Sequence, residues 1–445
     1  MFQEMKTMGL LVALLPCCGA AWSLDLLQAY EAAKSNDATF LAARAAAAAG
    51  QEHVPQALAQ MRPNLTASMS STNNQLNSAT PNAAGKSVST ETGYPSSNST
   101  VTLRQPLYRS YLAAQYRQAQ AQTEDAQEVF AQDEQDLAVR VCGAYFEALL
   151  ANEQLALVLA QRAAYQTQWA AARKLLERGA GSRTDVDEAL ARLDMTVANE
   201  IEARQNGDFT LRQLQTLVHQ PIDGLARLDL QKFALTYPEP DRVQGWIEAA
   251  ELKSPRLRSL RAQVGVALAE VEKAQAGHMP TLDATAQWTH SASESMTNLQ
   301  STYTNNSVGL LLNIPLYAGG QISSSVRQTV ASLERTRLLL EAGRRELSVN
   351  VHKEFRAVTE SMARVKALEQ ALRSAEQLLL SNQKSVAGGS RTMVDVMNAE
   401  QQRVQVLRDL AQTRYAHLIA RVRLLALVGG ANTHEIAAIN QALAN

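Results

Sequence analysis

The chain has 445 residues, and 42 basic against 43 acidic side chains leave a formal net charge of −1. That balance excludes the strongly basic face a nucleic-acid partner would require, and 5% aromatic residues are few for a large globular core. Alanine and glutamine crowd both halves instead, a composition suited to helices packed closely along long, thin interfaces.

In chain order, residues 1–23 stand apart. Lys6 precedes the apolar run from Met8 to Leu15, and Ala21-Trp22-Ser23 supplies small residues for a cleavage. The segment reads as a secretory signal peptide, too short to be a spanning helix. Pro16 beside Cys17 and Cys18 fits a lipid-attachment signal poorly. Cleavage would leave Cys142 as the one cysteine, so no internal disulfide is expected. No later stretch approaches about 18 uninterrupted apolar residues, so no transmembrane helix is predicted.

A short helical pattern over 24–34 and a second helix ending at Pro63 come next. Leu65, Ala67 and Met69 then alternate with Thr66, Ser68 and Ser70, a strand pattern. After a Ser/Thr/Asn-rich loop over about 72–98, Val101 and Leu103 alternate with Thr102 and Arg104, closing a hairpin at about 64–105. Pro106-Leu107-Tyr108 leads into a segment free of proline from about 110 to 178. Leu137, Val141, Ala144, Ala148, Ala151, Leu155 and Val158 step along it by four and three, a heptad seam. At 1.5 Å per residue the rod would reach about 100 Å. Gly181-Ser182-Arg183-Thr184 reads as the tip (about 179–186) of a helical hairpin, with Thr184 capping the returning helix and Thr184-x-x-Asp187 matching the capping-box spacing. Residues 219–240 form a linker.

The same grammar then returns. Glu31-Ala32-Ala33 reappears as Glu248-Ala249-Ala250 and Pro63-Asn64-Leu65 as Pro280-Thr281-Leu282, both at an offset of 217. Pro106-Leu107-Tyr108 reappears as Pro315-Leu316-Tyr317 at 209, and Asp185-Val186 as Asp395-Val396 at 210. A shorter loop at about 291–305, inside a second strand pair at about 281–314, accounts for the drop. Gly389-Ser390-Arg391-Thr392 repeats the turn within a second tip at about 386–395, and Thr392-x-x-Asp395 repeats the cap spacing. The chain is a tandem duplication of units 24–218 and 241–430, with 431–445 as a tail.

Two strand pairs cannot close a barrel, and an open edge in lipid leaves backbone groups unpaired. Either several copies pool their strands in one membrane barrel, or two surface hairpins decorate a soluble rod. The seven histidines are scattered, and no phosphate loop, dinucleotide fingerprint, Gly-x-Ser-x-Gly elbow or Cys-x-x-Cys occurs, so neither an enzyme nor a bound cofactor or metal is expected.

The duplicated helix–Pro–hairpin–Pro-Leu-Tyr–helix unit, with the helix start Thr392-Met393-Val394-Asp395-Val396-Met397-Asn398-Ala399, resembles the TolC family of outer-membrane channel-tunnel proteins over essentially the whole chain. The segment Ala29 to Asp37 is similar to the branch serving type I protein secretion, with Ala38 where that branch usually has proline. The resemblance implies a mainly α fold with a small transmembrane β part. Three copies would share a twelve-stranded outer-membrane barrel continuous with a periplasmic α-helical barrel. Pro63, Pro106, Pro280 and Pro315 would mark helix–strand junctions, and Tyr108 and Tyr317 would anchor at the inner membrane interface. Asp395 and Asn398 match the two constriction positions, the second usually Asp. Arg391, Thr184 and Asp185 match the gate latch, although Val386 replaces a tyrosine of that latch.

The implied partners are two further copies, outer-membrane lipid, a periplasmic adaptor (a membrane fusion protein) and an inner-membrane ABC or proton-driven transporter. The implied role is a passive exit duct for protein secretion, or alternatively for small-molecule efflux. A soluble periplasmic coiled-coil adaptor rod is the reading from another class.

Overall fold

The computed structural model describes residues 23–293 and 301–443; the expected signal peptide lies outside the described residues. Each unit opens with short helices. α1 (Leu26–Asn36) starts at Asp25, whose carboxylate accepts the Gln28 N–H at 2.7 Å while the Gln28 side chain returns to the Asp25 N–H at 3.2 Å. The expected second helix is two helices, α2 (Ala38–Gln51) and α3 (His53–Ala59), which break at Glu52. Pro55 in the first turn of α3 explains the break, since a proline cannot continue the bond ladder from the helix before it.

The strand pair β1 (Asn64–Pro81) and β2 (Ser87–Arg109) follows. The loop expected over 72–98 is mostly strand: both strands continue through it in register and turn only at residues 82–86. α4 (Ser110–Glu177) and α5 (Arg183–Val218) form the first long hairpin. The second unit supplies α6 (Val243–Lys253), α7 (Pro255–Gln275) with a 3₁₀ turn at Ala276–His278, β3 (Thr281–Ser293) and β4 (Ser301–Asn313). The second long hairpin is α8 (Gln321–Ala387) with α9 (Met393–Leu427). The four strands form one antiparallel sheet in sequence order.

The rods lie side by side. Near the sheet α4 packs on α2, α3 and α7, and α7 also packs on α8; toward the tips α4 packs on α5 and α9, and α9 on α8. The heptad seam is the contact stripe: Leu137, Val141, Ala148, Ala151 and Val158 are all buried. The linker and tail are more than connections. Leu24 pairs with the linker through Leu24 N–H to Gly224 O at 2.9 Å, and the Asp229 N–H reaches Ala442 O at 2.9 Å. α10 (Thr433–Asn440) buries Ile436 and Ile439 against the middle of the rods. The buried Tyr145 hydroxyl donates toward Leu24 O and Ala226 O at 2.9 and 3.1 Å, fastening this belt to α4. Asn36 and Asp37 also serve the belt. Asn36 Nδ2 donates to Val218 O at 3.1 Å, and Asp37 caps α2 while taking the Arg140 guanidinium.

Candidate functional site

One face of the sheet is apolar. Cross-strand partners share a side, so register places Leu65, Leu103, Ala286 and Val308 in one row and Gln105, Ala284 and Leu310 in another. Met69, Val308 and Leu310 are 86%, 88% and 69% exposed, far too open for a soluble surface row. The opposite face carries Thr66, Thr102, Thr285, Gln287 and Asn305. β1 and β4 each pair on one side only, which leaves two open edges. No helix among the described residues is long and apolar enough to cross a membrane.

The prolines fall at different depths around this sheet. Pro63 and Pro280 directly precede β1 and β3, and Pro315 lies in the connection from β4 to α8. Pro106 departs from the expected junction: it sits inside β2, which runs on to Arg109. The register shifts between Pro106 and Tyr108, a bulge at Leu107. The extra residue turns Tyr108 to the apolar face opposite Leu282 and puts Arg109 on the polar face opposite Thr281. Tyr108 and Tyr317 are both exposed, and Ser110 Oγ donates to the Tyr108 hydroxyl at 3.1 Å.

The other end of the rods carries the two tips, which share one backbone design. Gly179 and Gly389 have φ of 72° and 74°, the left-handed conformation that ends a helix. The Ala180 N–H returns to Leu175 O and the Ser390 N–H to Ser385 O, both at 2.9 Å. The structural register equates Gly179 with Gly389, so the repeated Gly-Ser-Arg-Thr is displaced by two residues between tips. Ser182, not Thr184, caps α5: its hydroxyl accepts the Thr184 N–H at 3.1 Å. Thr184 is exposed within the first turn beside Asp185, and Asp187 pairs with Arg183 at 3.2 Å instead of forming a capping box.

Thr392 caps α9, and its N–H and hydroxyl both donate to Asp395 Oδ2 at 3.0 Å. The Thr392 backbone, then its hydroxyl and then Arg391 hold the Asp395 carboxyl below the usual carboxylate range. Arg391 Nη1 lies 3.8 Å from Asp395 within the same chain. Asn382 Nδ2 donates to Asp395 O at 3.0 Å, bracing the second hairpin.

Sequence reasoning missed Arg192. Its guanidinium donates to Asn398 Oδ1 at 2.8 Å and Gln401 Oε1 at 3.3 Å, and it pairs with Glu188 at 2.8 Å. It therefore ties the first hairpin to the second through the position expected at the constriction. Tyr165, Ala189 and Met397 pack beneath this link. Further up, the Arg204 and Arg162 guanidiniums hold Glu200 below the usual carboxylate range. Among the described residues no group of His, Cys, Asp and Glu stands ready to hold a metal.

A sheet with one apolar face, fused to paired rods that end in tight tips, is the build of an outer-membrane channel protomer. The solved structure of the outer-membrane protein VceC from Vibrio cholerae overlays with a TM-score of 0.76, covering 91% of this chain and 96% of that one at 18% identity. The family model described as "Outer membrane efflux protein" matches residues 29–218 and 246–430, one stretch in each unit. The chain belongs to this family, and it is an outer-membrane protein with the fold of the TolC-type channels. The proteases secretion protein PrtF of Dickeya chrysanthemi is 33% identical over 97% of this chain and 94% of its own. The alkaline protease secretion protein AprF of Pseudomonas aeruginosa is 34% identical over 91% of this chain and 84% of its own. Family and exposed apolar sheet together set aside the soluble adaptor rod.

Proposed function

We propose that three copies of this chain join their sheets edge to edge, β4 to β1, into one twelve-stranded barrel. The long helices then line a periplasmic tunnel that serves as the exit duct of a protein secretion machine. The observation that carries this is the sheet: its apolar face requires lipid and its two open edges require partners. An aromatic belt at Tyr108 and Tyr317 marks the inner membrane interface. The tips, near 179–186 and 386–395, form the gate and the docking site of a periplasmic adaptor, and an inner-membrane transporter supplies the energy. Asp395 forms a ring of three carboxylates at the constriction, with Asn398 beside it; Arg391, Thr184 and Asp185 link neighbouring tips when closed. The two protease secretion relatives support a protein as cargo.

The test places the chain in a strain that has a protease exporter's pump and adaptor but lacks its outer-membrane duct. Release of active protease into the medium is expected. Restored tolerance to small toxic compounds without protease release would move the reading to efflux. Neither effect, with the protein present in the outer membrane, would overturn the proposed duct.

A further inference from the structure

The polar face of the sheet carries a single charged cluster. From the level of Ser96 and Ser293 down to the helices, the residues of that face that are charged at neutral pH are Arg104, Arg109 and Asp283, among the described residues. Asp283 is 2% exposed. Its carboxylate accepts from Arg104 Nε and Nη2 at 3.2 and 2.6 Å, and from Arg109 Nε and Nη2 at 2.8 and 2.5 Å. Two guanidiniums share one carboxylate, so the cluster keeps one positive charge. The Arg109 side chain is 28% exposed and that of Arg104 49%, so Arg104 presents the excess charge to water. Nη1 of Arg104 takes no part in these bonds and stays available to an anion. The arrangement depends on the bulge at Leu107, which brings Arg109 onto the face where Asp283 lies. A carboxylate gripped by two planar forks holds both in fixed orientation.

We propose that Arg104, positioned by Asp283 and Arg109, is a selectivity-determining residue of the pore. In the shared barrel one such cation from each copy forms a positive ring at the base of the strands, which attracts anions to the lumen wall. The inference rests on the reading of the sheet as part of that barrel, with its polar face toward water. It places a positive ring at the membrane end of a duct whose other end carries the Asp395 carboxylates, so the two ends discriminate in opposite senses.

The test is the reversal potential of single channels in a KCl gradient across a planar bilayer. Arg104→Gln should raise the cation-to-anion permeability ratio about twofold, the size expected of wall charges screened over a Debye length. Arg104→Lys keeps the charge and should leave the ratio at its wild-type value. Thr285→Glu places a carboxylate directly opposite Arg104, offsetting its charge without removing Arg104, Arg109 or Asp283, and should raise the ratio as Arg104→Gln does. Conducting variants with an unchanged ratio would overturn the proposal, as would Arg104→Lys shifting it as far as Arg104→Gln. Wild-type protein that forms no channels at all would sink the barrel reading, a failure recognisable without any variant.

Discussion

Asp395 joins two jobs in one side chain. Its carboxylate closes the start of α9 through two bonds to Thr392, and these same donors keep it charged to lower pH than an ordinary carboxyl. Because the folded-state value is depressed, the stabilisation is present above the unfolded value of about 3.9 and is lost as pH falls through the lower, folded value. The stability owed to this cap should therefore hold from neutral pH down to the ordinary carboxylate range and fade only below it, a fall read as a lower urea midpoint. Asp395→Ala should lower the permeability ratio about twofold at neutral pH. An unchanged ratio would leave the residue with its capping role alone.

Tyr145 is a simpler case: Tyr145→Phe leaves the Ala226 carbonyl without its donor, while Leu24 O keeps the Ala226 N–H at 3.1 Å, and should cost about 1–2 kcal/mol in a urea titration. No loss would mean the belt is held by burial alone. At this scale the sequence was a mixed guide. The capping of α9 by Thr392 was readable from spacing, whereas Arg192 and Asp283 were not. Their partners come from another hairpin or across a bulge, and no local pattern announces either.

At the scale of elements, the rods were legible because a heptad seam of small and apolar residues has one periodic reading, and the structure buries that stripe. The distal halves of β1 and β2 were not. They are mostly Ser, Thr and Asn on both faces, held by a two-stranded ladder beyond the four-stranded sheet, so no apolar alternation marks them. The repeated Gly-Ser-Arg-Thr misled in a different way. Identical letters fall two positions apart in the tips, and the left-handed glycine, not the word, sets the register. Gly389→Ala should strain its tip by about 1–2 kcal/mol and raise proteolytic nicking near residue 389 while leaving the rods intact. Nicking at the wild-type rate would show that the tip tolerates the side chain. Arg192→Ala removes the link from the first hairpin to Asn398 and Gln401 and should raise the open fraction of the proposed gate. Closed-state conductance in that variant would place the restraint elsewhere.

The whole molecule is organised by what one copy leaves unfinished. Its core belt is complete, with Tyr145, Phe146, Tyr415 and Ile436 buried, while its sheet shows exposed apolar rows and two unpaired edges. Leu310→Arg would put a charge on the apolar face at a cost of about 2–4 kcal/mol per copy near the bilayer centre. It should reduce the heat-stable oligomer recovered from membranes, while Thr285→Gln on the polar face should not. Equal recovery of both variants would mean the apolar face does not meet lipid.

The most direct measurement is the single-channel conductance of the detergent-extracted protein in a planar bilayer, alongside its mass in detergent. Small, stable, cation-selective steps from a species of three copies are the predicted result. A single-copy species without conductance would contradict the account, because an unpartnered sheet cannot enclose a pore.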